Sequence, residues 1–259
     1  MKTLLVNGCS FTEGSNFNAW PNIVSKQMNT KLVNIAASMN GNSFISKQLI
    51  NVISQHYTRL GSPGLVVGVM WSKVNRKEIL INREETWKWN EITSTVNDNW
   101  LHHSVIESKF TYTDQKTFFK NDKEWKDVKS FWMKSGGGYH ATKFWADWFK
   151  RYYTFEGMFW ETLEHILRVQ WFLEKYNIPY FMTSIDDLFT EGLSKHEETR
   201  HLYDLINMDK FCLYDGTKGI MEHNRENNIP FDHTMHSTAK GHKAFCEDVI
   251  IPKVEKYFE

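Results

Sequence analysis

Ser10, near the amino terminus, and His236, near the carboxyl terminus, are the side chains of this sequence best suited to act together in catalysis. Ser10 lies in NGCSFTEG directly after an apolar run, and Asp232 precedes His236 by four residues in FDHTMHSTAKGH. A serine hydroxyl is a weak nucleophile until a neighbouring imidazole accepts its proton, and a carboxylate that fixes the imidazole tautomer improves this base. The three residue types therefore predict acyl transfer, with Ser10 as nucleophile, His236 as general base and then general acid, and Asp232 as the acid that orients His236.

Candidate oxyanion donors follow the second and third apolar runs of the chain. An oxyanion hole is built from backbone N–H groups or from a neutral amide side chain. The segment after the second run contains Gly41, and the segment after the third run contains Ser72 and Asn75. We expect the N–H groups of Ser10 and Gly41 to bind the oxyanion, with Asn75 or Ser72 as the additional donor.

The order of these motifs resembles that of the SGNH (GDSL-like) hydrolase superfamily. Its blocks are G-D-S after the first strand, a glycine after the second, G-x-N-D after the third and D-x-x-H near the carboxyl terminus. Gly8-Cys9-Ser10 matches the first block, Gly41 matches the second, and HSTAKGH (236–242) resembles the run that begins with the catalytic histidine. More narrowly, GCSFTEG combined with WS and an arginine after the third strand looks like small members encoded by phages and marine bacteria.

The resemblance covers residues 1–76 and 178–258 and leaves the middle of the chain outside it. It implies a flavodoxin-like three-layer α/β fold and hydrolysis of esters, often acetyl groups on carbohydrates. The substrate would be a small-molecule or carbohydrate ester, and the reaction needs no cofactor. The alternative is a catalytically silent binding or structural protein of the same fold, such as a phage virion component or a glycan-recognition module.

The sequence departs from the SGNH pattern at three places. Cys9 replaces the aspartate of the first block, and the third block contains no literal G-x-N-D. Asp232 lies four residues before His236, and His233 takes the position where the pattern has its acid. Either the turn carries one extra residue, or the acid is elsewhere, for example Asp215, or a Ser-His dyad works alone.

Two other kinds of site compete for the same segments. A phosphate-binding loop has four residues between its glycines and then Lys-Ser/Thr, whereas five residues separate Gly8 from Gly14 here and no lysine follows. A metal site is the other alternative, because five side chains that could ligate zinc or iron fall within 20 residues. They are His223, Asp232, His233, His236 and His242. Their spacing matches no known template, and His242 could be a surface residue, so we predict no metal.

Apolar patterns predict a doubly wound α/β fold at the two ends of the chain. Strands are predicted at 2–7, 30–36, 65–72 and 178–184, with a short edge strand at 211–215, and helices at 19–28, 42–60, 156–177, 195–206 and 238–258. Asn42 is the predicted N-cap of the second of these helices. The order of elements predicts a central parallel sheet of about five strands within one domain spanning 1–259. Because functional groups converge at the carboxyl ends of parallel strands, we expect Ser10 and His236 to meet there.

Residues 77–155 interrupt this pattern and are predicted to form a mainly helical, aromatic-rich insertion or lid. Ten of the 11 tryptophans lie between Trp71 and Trp171. The rings could form the core of a lid, an oligomer interface or a platform that stacks on sugars. His102, His103 and the SGGGYH segment at 135–140 are candidates to approach the crevice.

The overall composition excludes several classes of partner. The chain has 31 basic and 31 acidic residues among its 259, so the positive surface typical of nucleic-acid binding is not expected. Three widely separated cysteines predict no disulfide framework, and no signal peptide or membrane span is evident. We expect a cytoplasmic protein, or a virion-associated one if it is encoded by a phage, and composition does not decide whether it forms a homo-oligomer.

Overall fold

The computed structural model describes residues 1–14, 18–58, 60, 64–82, 105–107, 130–134 and 143–259. Its strands are β1 (Thr3–Asn7), β2 (Lys31–Asn34), β3 (Leu65–Trp71), β4 (Glu78–Asn82), β5 (Val105–Glu107), β6 (Ser130–Lys134) and β7 (Tyr180–Ser184). Its α-helices are α1 (Ser10–Glu13), α2 (Trp20–Gln27), α3 (Asn42–His56), α4 (Lys143–Tyr152), α5 (Phe155–Lys175), α6 (Thr190–Lys195), α7 (Arg200–Tyr203), α8 (Ile220–Glu226), α9 (Ala239–Phe245) and α10 (Ile251–Val254).

The central sheet is parallel, with its strands in the order β2, β1, β3, β7. β1, β3 and β7 are buried along their whole length, which explains their nearly continuous apolar sequences. In the register of the sheet, Thr3 of β1 pairs with Lys31 of β2 on one side and with Leu65 of β3 on the other. All four strands therefore end at one edge, so the segments that follow β1, β3 and β7 lie side by side.

The α/β class and the parallel sheet agree with the sequence prediction, whereas the number of strands differs. About five strands were predicted, and the parallel sheet of the described residues has four. The segment predicted as an edge strand at 211–215 makes a single bridge instead, between Phe211 and Met182 of β7. The chain then turns back tightly, because Tyr214 pairs with Lys218, and no further ladder with β7 follows among the described residues.

Helices cover both faces of the parallel sheet, because alternate side chains of a strand point to opposite faces. On one face, Leu5 and Val67 belong to a buried cluster with the apolar residues of α3 and α5. On the other face, Leu4 and Val66 belong to a second cluster with those of α2, α8 and α9. The two cores hold the strand ends in a fixed arrangement.

The described part of 77–155 contains a second, antiparallel sheet in the order β4, β6, β5, followed by α4. A mainly helical segment was predicted here, and these three strands were not. They are only three to five residues long, which is too short for a clear alternation of apolar and polar residues. His102, His103 and the segment 135–140 lie outside the described residues.

The carboxyl-terminal helix predicted at 238–258 is broken into several turns. α9 continues into a π-helical turn at Cys246–Ile250, then into α10, whose first turn contains Pro252, and then into a 3-10 turn at Glu255–Tyr257. Proline lacks the N–H that a continuous helix would need at this position, which is consistent with the break.

Candidate active site

The turn between β1 and α1 carries Ser10 to the carboxyl edge of the parallel sheet. Asn7 is fully buried, and its Nδ2 donates to the carbonyl of Ile45 at 2.9 Å while its Oδ1 accepts the backbone N–H of Gly8 at 2.8 Å. A Cβ atom on Gly8 would lie 2.2 Å from Thr12 Oγ1, so the close approach of α1 requires glycine here. Ser10 then forms the first residue of α1.

His236 lies in a tight turn that precedes α9. Phe231 and Ser237 form an antiparallel bridge, and inside it the N–H of Asp232 donates to the carbonyl of His236 at 2.9 Å. Met235 adopts a φ of 63°, which is uncommon for a residue with a side chain. The turn thus holds one residue more than a D-x-x-H segment and still closes.

The two turns bring Ser10 and His236 into hydrogen-bond contact although 226 positions separate them in the chain. Ser10 Oγ lies 2.7 Å from His236 Nε2, and both side chains are partly buried. Phe11 is buried and packs against the His236 ring with centroids 4.9 Å apart. This is the separation that a nucleophile and its general base need.

Asp232 contacts the backbone of His236 and reaches its ring through Thr234. Asp232 Oδ1 accepts the N–H of His236 at 2.9 Å, the N–H of Thr234 at 2.8 Å and the hydroxyl of Thr234 at 2.6 Å. The Thr234 hydroxyl is also 2.7 Å from His236 Nδ1. The side-chain hydrogen bond from Thr234, followed by that of the His236 backbone, lowers the pKa of Asp232 to about 2.

Asp215, the other candidate acid, has a different partner. Its carboxylate pairs with Lys218 Nζ at 2.8 Å, and this hydrogen bond lowers the pKa of Asp215. The side chain is well exposed, in the tight turn that follows Phe211. Of the two acids considered, Asp232 is the one that the structure brings to His236.

Of the predicted backbone donors, Ser10 and Gly41 differ in their present partners. The N–H of Ser10 is at the first position of α1, where an α-helix provides no carbonyl acceptor. The N–H of Gly41 donates to Glu78 Oε1, and a Cβ atom on Gly41 would lie 2.8 Å from the carbonyl oxygen of Arg76. Glu78 is the first residue of β4 and is 4% exposed. A buried carboxylate therefore holds the Gly41 N–H in this structure.

The side-chain donor candidates after β3 also differ. Asn75 is partly buried, and its Oδ1 has no hydrogen-bond partner among the described residues. Ser72 is fully buried, and its N–H donates to Asn42 Oδ1 at 2.8 Å.

Gly41, not Asn42, is the N-cap of α3, so the predicted capping role of Asn42 is wrong. Its side chain is used instead to hold the end of β3.

Sequence reasoning missed several polar residues at this edge of the sheet. Asn40 is fully buried, and its Nδ2 donates to the carbonyl of Gly8 at 2.9 Å, so it ties the two loops together. Asp186, just after β7, lies 3.9 Å from Lys73 Nζ, and burial raises the pKa of this carboxyl to about 6. Thr234 had a local signal in sequence, because an aspartate side chain commonly accepts the backbone N–H two residues further on in a turn. The others depend on contacts between distant segments.

The histidine-rich segment does not form the metal cluster considered from its sequence. His223 is fully buried, with Nε2 2.9 Å from Asp248 Oδ2 and Nδ1 3.2 Å from Asn224 Oδ1. His242 is buried as well, so its interpretation as a surface residue is wrong, and this burial lowers its pKa to about 4. In the described ranges, the three side chains close enough to share an ion are Glu156, His196 and Glu198, none of which belongs to that segment.

No protein-family model matches this chain, and no curated protein does either. Among the described residues, none of the helices combines the length and apolar character needed to cross a membrane. The geometry at Ser10 and His236 is therefore the main guide to what the protein does.

Proposed function

We propose that this chain is a serine ester hydrolase with Ser10 as the nucleophile. The observation that carries the proposal is the 2.7 Å separation between Ser10 Oγ and His236 Nε2 at the carboxyl edge of a parallel sheet. Ligands and catalytic groups of α/β proteins commonly gather at this edge. The motif order of the SGNH hydrolases gives the same pair of residues.

In the proposed reaction, His236 Nε2 takes the hydroxyl proton as Ser10 Oγ attacks the acyl carbon of the ester. The same nitrogen then gives the proton to the departing alcohol, and an acyl-serine remains. Water, activated by His236, attacks this acyl group and releases the acid and free Ser10. Asp232 keeps the turn in place, since it accepts the backbone N–H of His236.

We assign the oxyanion first to the N–H of Ser10 and to the side chain of Asn75. An N–H forms one strong hydrogen bond at a time, so Gly41 can join only when Glu78 releases it. Ser72 is the weaker candidate for the side-chain donor, because its side chain is fully buried, whereas Asn75 is only partly buried.

The proposal also includes a more detailed assignment of the fold. We infer an SGNH-like, flavodoxin-type three-layer domain in which the aromatic segment 77–155 is an insertion that could cover Ser10. A small-molecule or carbohydrate ester would be the substrate, without a cofactor, in the cytoplasm or, for a phage protein, in the virion. Helices on both faces of the sheet support this arrangement.

Labelling with a fluorophosphonate, which reacts with activated serines, tests the nucleophile. Wild-type protein should be labelled and Ser10→Ala should not, because the Ser10 hydroxyl has an imidazole nitrogen at 2.7 Å that can accept its proton. Ser194→Ala is the matched control, since Ser194 is exposed and its hydroxyl donates to the carbonyl of Glu191. Equal labelling of wild type and Ser10→Ala, or no labelling of either, would contradict the assignment.

A catalytically silent binding or structural protein of the same fold is the second candidate, and two contacts favour it. The Gly41 N–H is donated to a carboxylate, and Asp232 contacts the His236 ring only through an exposed threonine. A hydrolysis panel of acetylated sugars and short-chain aryl esters separates the candidates, with Ser10→Ala as the background. The hydrolase should turn over at least one ester faster than Ser10→Ala does.

A further inference from the structure

We propose that Thr234 is a positioning residue whose hydroxyl couples Asp232 to the His236 ring. Thr234 Oγ1 lies 2.7 Å from His236 Nδ1 and 2.6 Å from Asp232 Oδ1. Both separations are typical of strong hydrogen bonds. The effect of Thr234 on reaction rate rests on the proposed hydrolase function, whereas its effect on the tautomer of His236 does not.

Three contacts join Asp232 to Thr234, Thr234 to His236, and His236 to Ser10. With a neutral imidazole, one arrangement of hydrogens satisfies all three. A hydroxyl has one hydrogen to donate, and an ionised carboxylate has none. Since the pKa of Asp232 is about 2, its carboxylate is ionised near neutral pH and must accept the Thr234 hydroxyl hydrogen. The Thr234 oxygen then accepts from His236 Nδ1–H. Nε2 of the neutral ring is left with its lone pair facing Ser10 Oγ, as a general base requires.

The length of the turn explains why a hydroxyl is needed. Asp232 Oδ1 already accepts the backbone N–H groups of Thr234 and His236, which keeps the carboxylate against the turn backbone. Because the acid lies four residues before the histidine instead of three, the carboxylate meets the ring only through a bridging group. The side chain of Thr234 fills that gap.

The exposure of the side chains that connect Asp232 to the His236 ring limits their expected effect on the reaction rate. Asp232 and Thr234 are both exposed, so water competes for each hydrogen bond. Loss of the Thr234 hydroxyl should therefore reduce the rate by about 10-fold, well below the roughly 10⁴-fold cost of losing a buried triad acid. Asp232→Asn should cost less than Thr234→Val, because an asparagine oxygen can still accept the threonine hydrogen.

The test compares Thr234→Val, which keeps the shape and removes the hydroxyl, with Thr234→Ser, which keeps the hydroxyl. Nitrogen-15 spectra of the histidine rings report which ring nitrogen carries hydrogen, and His236→Gln identifies the signals of His236. Wild type and Thr234→Ser should show hydrogen on Nδ1, and Thr234→Val should move it largely to Nε2. Fluorophosphonate labelling should be about 10-fold slower in Thr234→Val and within about threefold of wild type in Thr234→Ser.

Three results would overturn the role of Thr234. They are hydrogen on Nε2 of His236 in wild type, an unchanged tautomer in Thr234→Val, and labelling of Thr234→Val at the wild-type rate. Thermal unfolding of each variant checks that Thr234→Val is not simply less folded. If wild type itself is not labelled, the proposed hydrolase fails, and the tautomer measurement alone decides on Thr234.

Discussion

At the scale of single residues, Ser10 and His236 depend on neighbours that take no part in proton transfer. Phe11 is buried, and its ring centroid is 4.9 Å from that of His236 and 6.4 Å from that of His242. The three rings hold one another in place, so His236 has little freedom to turn away from Ser10. Fixing the base in this way lowers the entropy that the reaction must lose.

His242 should make the free energy of unfolding depend on pH. Burial lowers its pKa to about 4 in the folded protein, whereas an unfolded histidine titrates near 6.5. Between these values the unfolded chain binds more protons, so stability is present at pH 7 and decreases as the pH falls. We expect His242 to account for a loss of about 2 kcal/mol between pH 7 and pH 5. Urea unfolding at the two pH values, compared between wild type and His242→Leu, measures this contribution.

His233→Gln is the control for the His242 experiment, because His233 lies in the same segment and is exposed. The free energy of unfolding of His233→Gln should depend on pH as that of the wild type does. If His242→Leu loses as much stability as wild type between pH 7 and pH 5, the buried neutral histidine is not responsible.

The residue types at the site could be predicted from sequence, whereas their bonding could not. Serine, histidine and aspartate can be recognised as catalytic candidates from their chemistry and from their position after a predicted strand or before a predicted helix. That Glu78 holds the Gly41 N–H follows from a contact between segments 37 positions apart, which no local pattern encodes. The Thr234 hydroxyl depends on the exact closure of a five-residue turn around Asp232.

At the scale of elements, the end of β3 is fixed by the first residue of α3. Asn42 is 3% exposed; its Oδ1 accepts the N–H of Ser72 at 2.8 Å, and its Nδ2 donates to the carbonyl of Ser72 at 3.1 Å. Asn42→Ala should lower the free energy of unfolding by about 2–4 kcal/mol, because two buried backbone groups lose their partner. Chemical denaturation measures the change.

Gln55→Ala is the matched control for Asn42→Ala. Gln55 lies in the same helix, is exposed, and donates to the Asn51 side chain. It should change stability by less than about 0.5 kcal/mol. If Asn42→Ala changes stability no more than Gln55→Ala does, the hydrogen bonds from Asn42 to the end of β3 do not contribute significantly to the free energy of unfolding.

Long elements were predictable and short ones were not. The buried strands β1, β3 and β7 and the helix α5 have apolar patterns long enough to stand out. β4 pairs with β6 across about 50 intervening residues, so its few residues carry little information on their own. The bridge at Phe211 shows the same limit, because a tight turn ends the pairing at once.

At the scale of the whole molecule, the site joins the two ends of the chain through the core. β1 lies inside the parallel sheet, and the carboxyl-terminal residues Phe245, Ile250 and Val254 are fully buried in the cluster that includes Leu4 of β1. The turn with His236 immediately precedes the helix that carries Phe245. The contact between Ser10 and His236 therefore depends on docking of the carboxyl-terminal helices against the sheet.

This dependence predicts that reactivity and fold are lost in one transition. In increasing urea, fluorophosphonate labelling of Ser10 should disappear with the same midpoint as far-ultraviolet circular dichroism, because the contact between Ser10 and His236 depends on docking of the carboxyl-terminal helices against the sheet. Asn42→Ala, which acts far along the chain from His236, should move both midpoints to lower urea by the same amount. Ser194→Ala should leave both unchanged. Loss of labelling at a lower urea concentration than loss of circular dichroism would show instead that the His236 turn opens locally while the sheet remains folded.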